Sequence, residues 1–266
     1  MKTQFQWFLW LALVFLIACE EEVELKLKSS VPKVFIEGFI RTDSLYQRIT
    51  VKKTNNFHES NNYPGINDAI VILSDETGRT DTLQNIENGV FRTRKVFEGI
   101  PNRYYFLKII AENTTYEAKA FLPGVVTFDT IIYTYVNNTS IVREPGYYLT
   151  SIGQEPLGLN YYRILCYKND SLFDGIGDYF ITDDILVEGN QIVFTLPFKF
   201  DKGDTAKVEL WNIDQPTFYY YVSLIKQLFG GGPFAPPADN VKGNISNGAL
   251  GYFGGCGVYS QSVIIE

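Results

Sequence analysis

The sequence predicts a mainly β protein: an N-terminal β-sandwich of Ig-like, carboxypeptidase-regulatory-like type, followed by a second β-rich domain carrying one amphipathic helix. Short segments rich in Val, Ile, Thr, Tyr and Phe recur from Val34 to Trp211, with turn residues between them. Helical periodicity is absent until residue 217. The 20 Phe and 18 Tyr supply large rings enough for a substantial core.

Seven segments define the first unit, 33–123: Val34–Ile40, Arg48–Lys52, Ala69–Ser74, Thr80–Leu83, Val90–Val96, Tyr104–Ala111 and Thr115–Leu122. Arg48-Ile49-Thr50-Val51-Lys52 alternates polar and apolar residues, as a half-buried strand does. Asn88-Gly89 and Asn113-Thr114 stand where the chain must reverse. The Asn-rich stretch Asn55–Asn67 reads as a surface loop, and Pro123-Gly124 as the boundary to a second unit, 124–266.

Strand-like segments then resume at Thr127–Val136, Tyr147–Ser151, Tyr161–Tyr167, Asp178–Val187, Gln191–Phe198 and Thr205–Trp211. Asp214 is a capping residue with Pro216 in the first turn behind it. Phe218, Tyr221, Val222, Ile225, Leu228 and Phe229 form an apolar stripe, stopped by Gly230-Gly231-Gly232-Pro233; the expected helix is Thr217–Phe229. Beyond it, glycines crowd between Gly248 and Gly257 around Tyr252 and Phe253. They lack the lysine-serine pair of a phosphate-binding loop, and Val258–Ile265 reads as a closing strand.

The N-terminus carries an address. Lys2 precedes an uncharged, mostly apolar run, Phe5–Ala18, that ends in Leu16-Ile17-Ala18-Cys19 and then Glu20-Glu21-Glu22. The run is short for a bilayer span, and acid rather than base follows it. Leu-Ile-Ala-Cys resembles a bacterial lipobox, so residues 1–18 are expected to be a lipoprotein signal peptide, Cys19 the acylated residue and 19–32 an acidic tether. The competing readings are a membrane anchor and a cleaved signal with an incidental cysteine.

Net charge is −7, and losing residues 1–18 removes only a basic residue, Lys2. An acidic chain of this kind argues against nucleic acid as a partner. Histidine occurs once, as His58 in the Asn-rich loop, so no Ser-His-Asp set is expected. Cys-x-x-Cys and His-x-x-x-His spacings are absent, and no cofactor is expected. Thirty acidic residues leave a chance carboxylate pair open.

Four weaker patterns remain. Asp170, Asp174 and Asp178, beside Asp183 and Asp184, form a calcium candidate whose plainer reading is a solvated turn. Cys166 and Cys256 are a candidate disulfide. Asp followed by Ser or Thr and an aliphatic residue recurs at Ser44, Thr82, Thr130, Ser171 and Thr205. This resembles the O-glycosylation sequon of exported Bacteroidota proteins; the alternative is a natural entry from turn to strand. Tyr147, Tyr148, Tyr252 and Phe253 are candidate ligand-contact aromatics, against ordinary core packing.

Val34-Phe35-Ile36-Glu37-Gly38-Phe39-Ile40, Asn67–Asp75, Leu159–Arg163 and Gly243–Phe253, together with the lipobox, resemble the Bacteroidota lipoprotein family catalogued as domain of unknown function 4249. The resemblance spans nearly the whole chain after Cys19. It implies that Glu20, Glu21 and Glu22 act as a surface-export signal, that the protein is anchored in the outer membrane facing outward, and that a TonB-dependent receptor is its partner. It assigns no catalytic residues. The expected function is therefore that of a non-enzymatic accessory or ligand-binding lipoprotein in nutrient uptake, with an extracellular glycan or peptide as ligand. Its alternatives are a stand-alone adhesion or envelope-structure lipoprotein and a carboxylate-dependent glycan or peptide hydrolase.

Overall fold

The computed structural model describes residues 31–55, 63–137, 144–154, 156–184, 191–229 and 241–266. Cys19, Glu20, Glu21, Glu22 and His58 lie outside them. Among the described residues no helix is long and apolar enough to cross a membrane.

The first part of the chain forms β1 (Val34–Arg41), β2 (Arg48–Lys53), β3 (Ile70–Asp75), β4 (Thr80–Thr82), β5 (Gln84–Glu87), β6 (Val90–Arg92), β7 (Arg103–Ala111) and β8 (Thr114–Leu122). The second forms β9 (Thr130–Val136), β10 (Gly146–Gln154), β11 (Tyr161–Lys168), β12 (Ser171–Leu172), β13 (Phe180–Asp183), β14 (Gln191–Phe200) and β15 (Thr205–Ile213). Helix α1 (Gln215–Phe229) and β16 (Leu250–Ile264) complete it. The expected helix is present and starts two residues earlier, with Asp214 Oδ1 accepting the Thr217 N–H at 3.0 Å.

One large sheet organises the fold, in the order β12-β11-β15-β16-β1-β2-β6-β5, with β13 also on β11. Two smaller sheets, β4-β3-β7-β8 and β14-β10-β9, supply the other layers. Alternation along each strand sorts residues between faces. Ile36, Ile49, Val51, Val71, Leu73 and Ile109 share the first core. Leu149, Ile164, Leu196, Phe200, Val208 and Leu210 share the second. A third cluster joins Tyr161, Trp211, Ile213, Tyr252, Cys256 and Val258 to Tyr220 and Tyr221 of α1.

Strand β16 joins the two parts. Its first half runs parallel to β1, from Phe35 opposite Leu250 to Arg41 opposite Cys256. Its second half runs antiparallel to β15, from Ile213 opposite Cys256 to Thr205 opposite Ile264. The closing strand thus begins at Leu250, not at Val258, and the glycine-rich segment lies within it. The reason is close packing. A Cβ on Gly255 would overlap the Phe121 carbonyl oxygen and sit 2.7 Å from Leu122 Cα. One on Gly257 would overlap the Gly124 carbonyl oxygen and sit 3.0 Å from that of Pro123. The connection between the two parts therefore crosses directly over β16, and side chains there would exclude it.

The segment before β16 seals the same joint. Asn244 accepts from Phe253 N–H at 2.9 Å and donates to its carbonyl at 2.7 Å. Ser246 N–H donates to Glu117 O at 2.9 Å, and Asn247 donates to Thr115 O at 2.6 Å, both on β8. Phe253, Ile245 and Ala249 pack into the first core. Residues beyond Pro123-Gly124 thus return to the first sandwich.

A candidate binding groove on the shared sheet

Opposite the first core, the outer face of the large sheet carries polar and aromatic side chains. On β1, Ile36 and Ile40 point into the core, so Glu37, Phe39 and Arg41 take the other face. On β2, Ile49 and Val51 do the same for Arg48 and Thr50. Arg92 of β6 is directly opposite Arg48, and Arg163 of β11 directly opposite Trp211. These residues line a groove of about 720 Å³, with Tyr221 and Leu224 of α1, Tyr179, and the Asp43–Gln47 loop as its walls. The volume falls in the range of small-ligand sites.

Arg41 is held by two acids. Its Nε donates to Asp43 Oδ1 at 2.8 Å and its Nη2 to Asp43 Oδ2 at 2.7 Å, and Nη2 also reaches Glu209 Oε2 at 3.2 Å. The guanidinium lies 4.7 Å from the Trp211 ring. Burial works to raise the Glu209 carboxyl, but bonds from Lys207 and Trp211 and the charges of Arg41 and Lys207 hold it below the usual range. Arg163 packs 4.4 Å from Tyr221, 5.1 Å from Trp211 and 5.5 Å from Tyr179. Its Nη1 donates to Tyr221 Oη at 2.5 Å, and burial pushes the Tyr221 phenol up, so it stays protonated.

Three guanidiniums lack an acid. Among the described residues Arg48, Arg92 and Arg163 have no carboxylate within 4.0 Å. Arg92 Nε is buried without a hydrogen-bond partner, its guanidinium 5.1 Å from the Tyr46 ring. Glu37 lines the groove, and desolvation by the surrounding protein raises its carboxyl, with the Arg163 charge opposing the shift. The groove lining includes four arginines against the carboxylates Glu37 and Asp43, in a chain whose net charge is −7. Such a surface can hold oxyanions. Its lining includes no histidine or cysteine, and the Ser44 hydroxyl is spent on Tyr46 O at 2.7 Å.

The structure moves several expected site residues elsewhere. Tyr148, Tyr252 and Phe253 are buried rather than open to a ligand: Tyr252 stacks on Tyr220 with ring centroids 4.4 Å apart, and Phe253 fills the first core. Tyr147 is half-buried between Tyr133 and Tyr135. Cys166 and Cys256 are both free and do not form the expected disulfide. Cys166 pairs with Val208 and Cys256 with Ile213, five positions further along β15, hence on the opposite face and about 17 Å away along the strand. That exceeds the reach of a disulfide.

The aspartate cluster is dispersed. Asp170 turns the β11–β12 hairpin with φ 66°, Asp174 is exposed, and Asp178 Oδ2 accepts the Gly175 N–H at 2.9 Å. Asp184 is buried, taking Asn160 N–H at 2.8 Å. Among the described residues no three acidic, histidine or cysteine side chains are grouped to hold a metal. Thr82, Thr130, Ser171 and Thr205 are exposed at strand ends, while Ser44 is part-buried. Their aspartates do structural work as well: Asp81 accepts from Arg94 N–H at 2.7 Å, and Asp204 from Asp201 N–H at 2.7 Å.

The groove residues Arg41, Arg48, Arg92, Arg163 and Trp211 do not stand out in the linear chain. Alternation in β1 and β2 shows that their charged residues share a face; it does not show that β11 and β15 lie beside that face, because β16 makes the connection.

Fold and groove together define a mainly β protein whose two sandwich-like parts share a sheet and present a charged groove on its outer side. A family model described as Domain of unknown function (DUF4249) matches residues 20–262, and the chain belongs to that family. Among solved structures, a two fibronectin type-III domain segment from chicken tenascin is similar at 13% identity, covering 68% of this chain and 91% of that chain with a TM-score of 0.21. No curated protein matches the chain.

Proposed function

We propose that the protein is a non-enzymatic lipoprotein of the outer membrane, anchored through Cys19 and facing outward, that binds an extracellular ligand in partnership with a TonB-dependent receptor. The groove is the observation that carries the binding role. Arg41 and Arg163 are braced by aromatic rings, and Arg41 also by a buried acid, a build suited to holding a ligand in place. Of its two lining carboxylates, Asp43 is already clamped by Arg41, which leaves the hydrolase alternative without a free carboxylate pair there. The leader and Glu20–Glu22 support the address, and family membership supports the partnership through the resemblance set out above.

Crosslinking intact cells and isolating the protein tests both parts. A TonB-dependent receptor in the crosslinked product, from cells whose surface protease treatment removes the protein, is the expected result. Recovery without any receptor, or protection from the protease, overturns the reading. Cys19→Ala is expected to release the protein from the membrane fraction.

A further inference from the structure

The unpaired arginines stand in two groups. Arg48 and Arg92 are a directly opposed cross-strand pair of β2 and β6. Like charges in that position repel one another at Cβ separations of about 5 Å, a cost that a bound anion removes. Arg163 lies on β11, and β1, β16 and β15 intervene between it and β2. Four strand spacings of about 4.8 Å put the two backbones roughly 19 Å apart. The two groups thus stand toward opposite ends of the groove.

We propose that the groove binds an elongated dianion, one carboxylate on Arg48 and Arg92 and the second on Arg163. Charge sets the valence. Arg41 is already paired with Asp43 and Glu209, so Arg48, Arg92 and Arg163, less Glu37, leave two positive charges, which two carboxylates neutralise. Geometry sets the kind of oxyanion site. A guanidinium offers a planar fork that matches a carboxylate, and Arg163 has committed only one N–H, to Tyr221. Volume sets the size: about 720 Å³ suits a body of two or three linked units between the charges. The inference stands on the groove alone and holds with or without a receptor partner.

The test is titration calorimetry on the full chain in detergent at low salt. Digalacturonate and N-acetyl-Glu-Glu-amide each carry two carboxylates, on a sugar and on a peptide; digalactose carries none. At least one dianion is expected to bind, digalactose not to bind, and tenfold more salt to weaken the binding. Binding of one dianion alone identifies the scaffold, and binding of both shows that the carboxylates suffice. Arg48→Gln and Arg163→Gln are each expected to weaken binding by about tenfold or more. Thermal melting checks each variant; should Arg163→Gln lose its fold with the aromatic stack, Arg48→Gln carries the test. Failure of both dianions to bind, equal binding of digalactose, or unchanged affinity in folded Arg48→Gln overturns the proposal.

Discussion

The two halves of β16 follow opposite rules. From Leu250 to Cys256 the strand pairs in parallel with β1, and from Cys256 to Ile264 antiparallel with β15; glycines crowd it as far as Gly257, and from Val258 on it carries side chains at every position. Glycine weakens an isolated strand. Here the first half has to pass beneath another stretch of backbone, which leaves no room for side chains, and the neighbouring strands supply the stability instead. The second half lies beyond the crossing and can carry ordinary residues. Low strand propensity therefore marks the joint of the molecule.

The largest effect is expected at that joint. Gly255→Val and Gly257→Val place atoms against backbone that cannot turn aside, and each is expected to cost about 3 kcal/mol or more, read as a lower urea midpoint. Ser262→Val, on the exposed second half, is expected to change stability by less than about 0.5 kcal/mol. A similar loss at both sites would break the contrast.

Acid sharpens a different one, between a carboxylate fixed in the first sandwich and those in solvent. Asp75 is buried, and burial works to raise its carboxyl. The Thr77 hydroxyl, the N–H groups of Arg79 and Thr77 and the Arg79 charge outweigh that and hold it below the usual range. Its folded-state pKa is thus depressed, so its stabilisation is present above the unfolded value of about 3.9 and disappears as pH falls through the folded value. Asp75→Asn is expected to cost about 2 kcal/mol at neutral pH and to flatten the fall in urea midpoint below about pH 4. An unchanged acid slope would contradict this assignment.

Smaller effects follow for the helix and the thiols. Asp214→Ala removes the acceptor for the Thr217 N–H and hydroxyl and is expected to cost about 1 kcal/mol by urea denaturation. Burial pushes the Cys166 thiol up to about 12 and raises Cys256 further, so neither is expected to react with maleimide at pH 7.5 until urea unfolds the chain. Rapid labelling of the native protein would show that the strands open at the joint.

Much of the β content was legible because strands leave local marks. β1, β2, β7, β8 and β14 follow from alternation and flanking turns, and α1 from its stripe and the Asp214 cap. The start of β16 was not, because glycine reads locally as loop and only the crossing of residues 121–124 explains it. The aromatic residues misled for a related reason: Tyr252 and Phe253 sit beside glycines that suggest exposure, while the strand beneath turns one into each of two clusters. The groove was hidden because its arginines come from β1, β2, β6 and β11, and register across β16 is a long-range property.

The two sandwich-like parts form one unit through β16. Trp211, the single tryptophan after residue 18, packs against that strand's joint and reports it by fluorescence. Urea unfolding followed in parallel by Trp211 fluorescence and far-ultraviolet circular dichroism is predicted to give coincident single transitions. Two separated transitions, with Trp211 reporting only one, would contradict it.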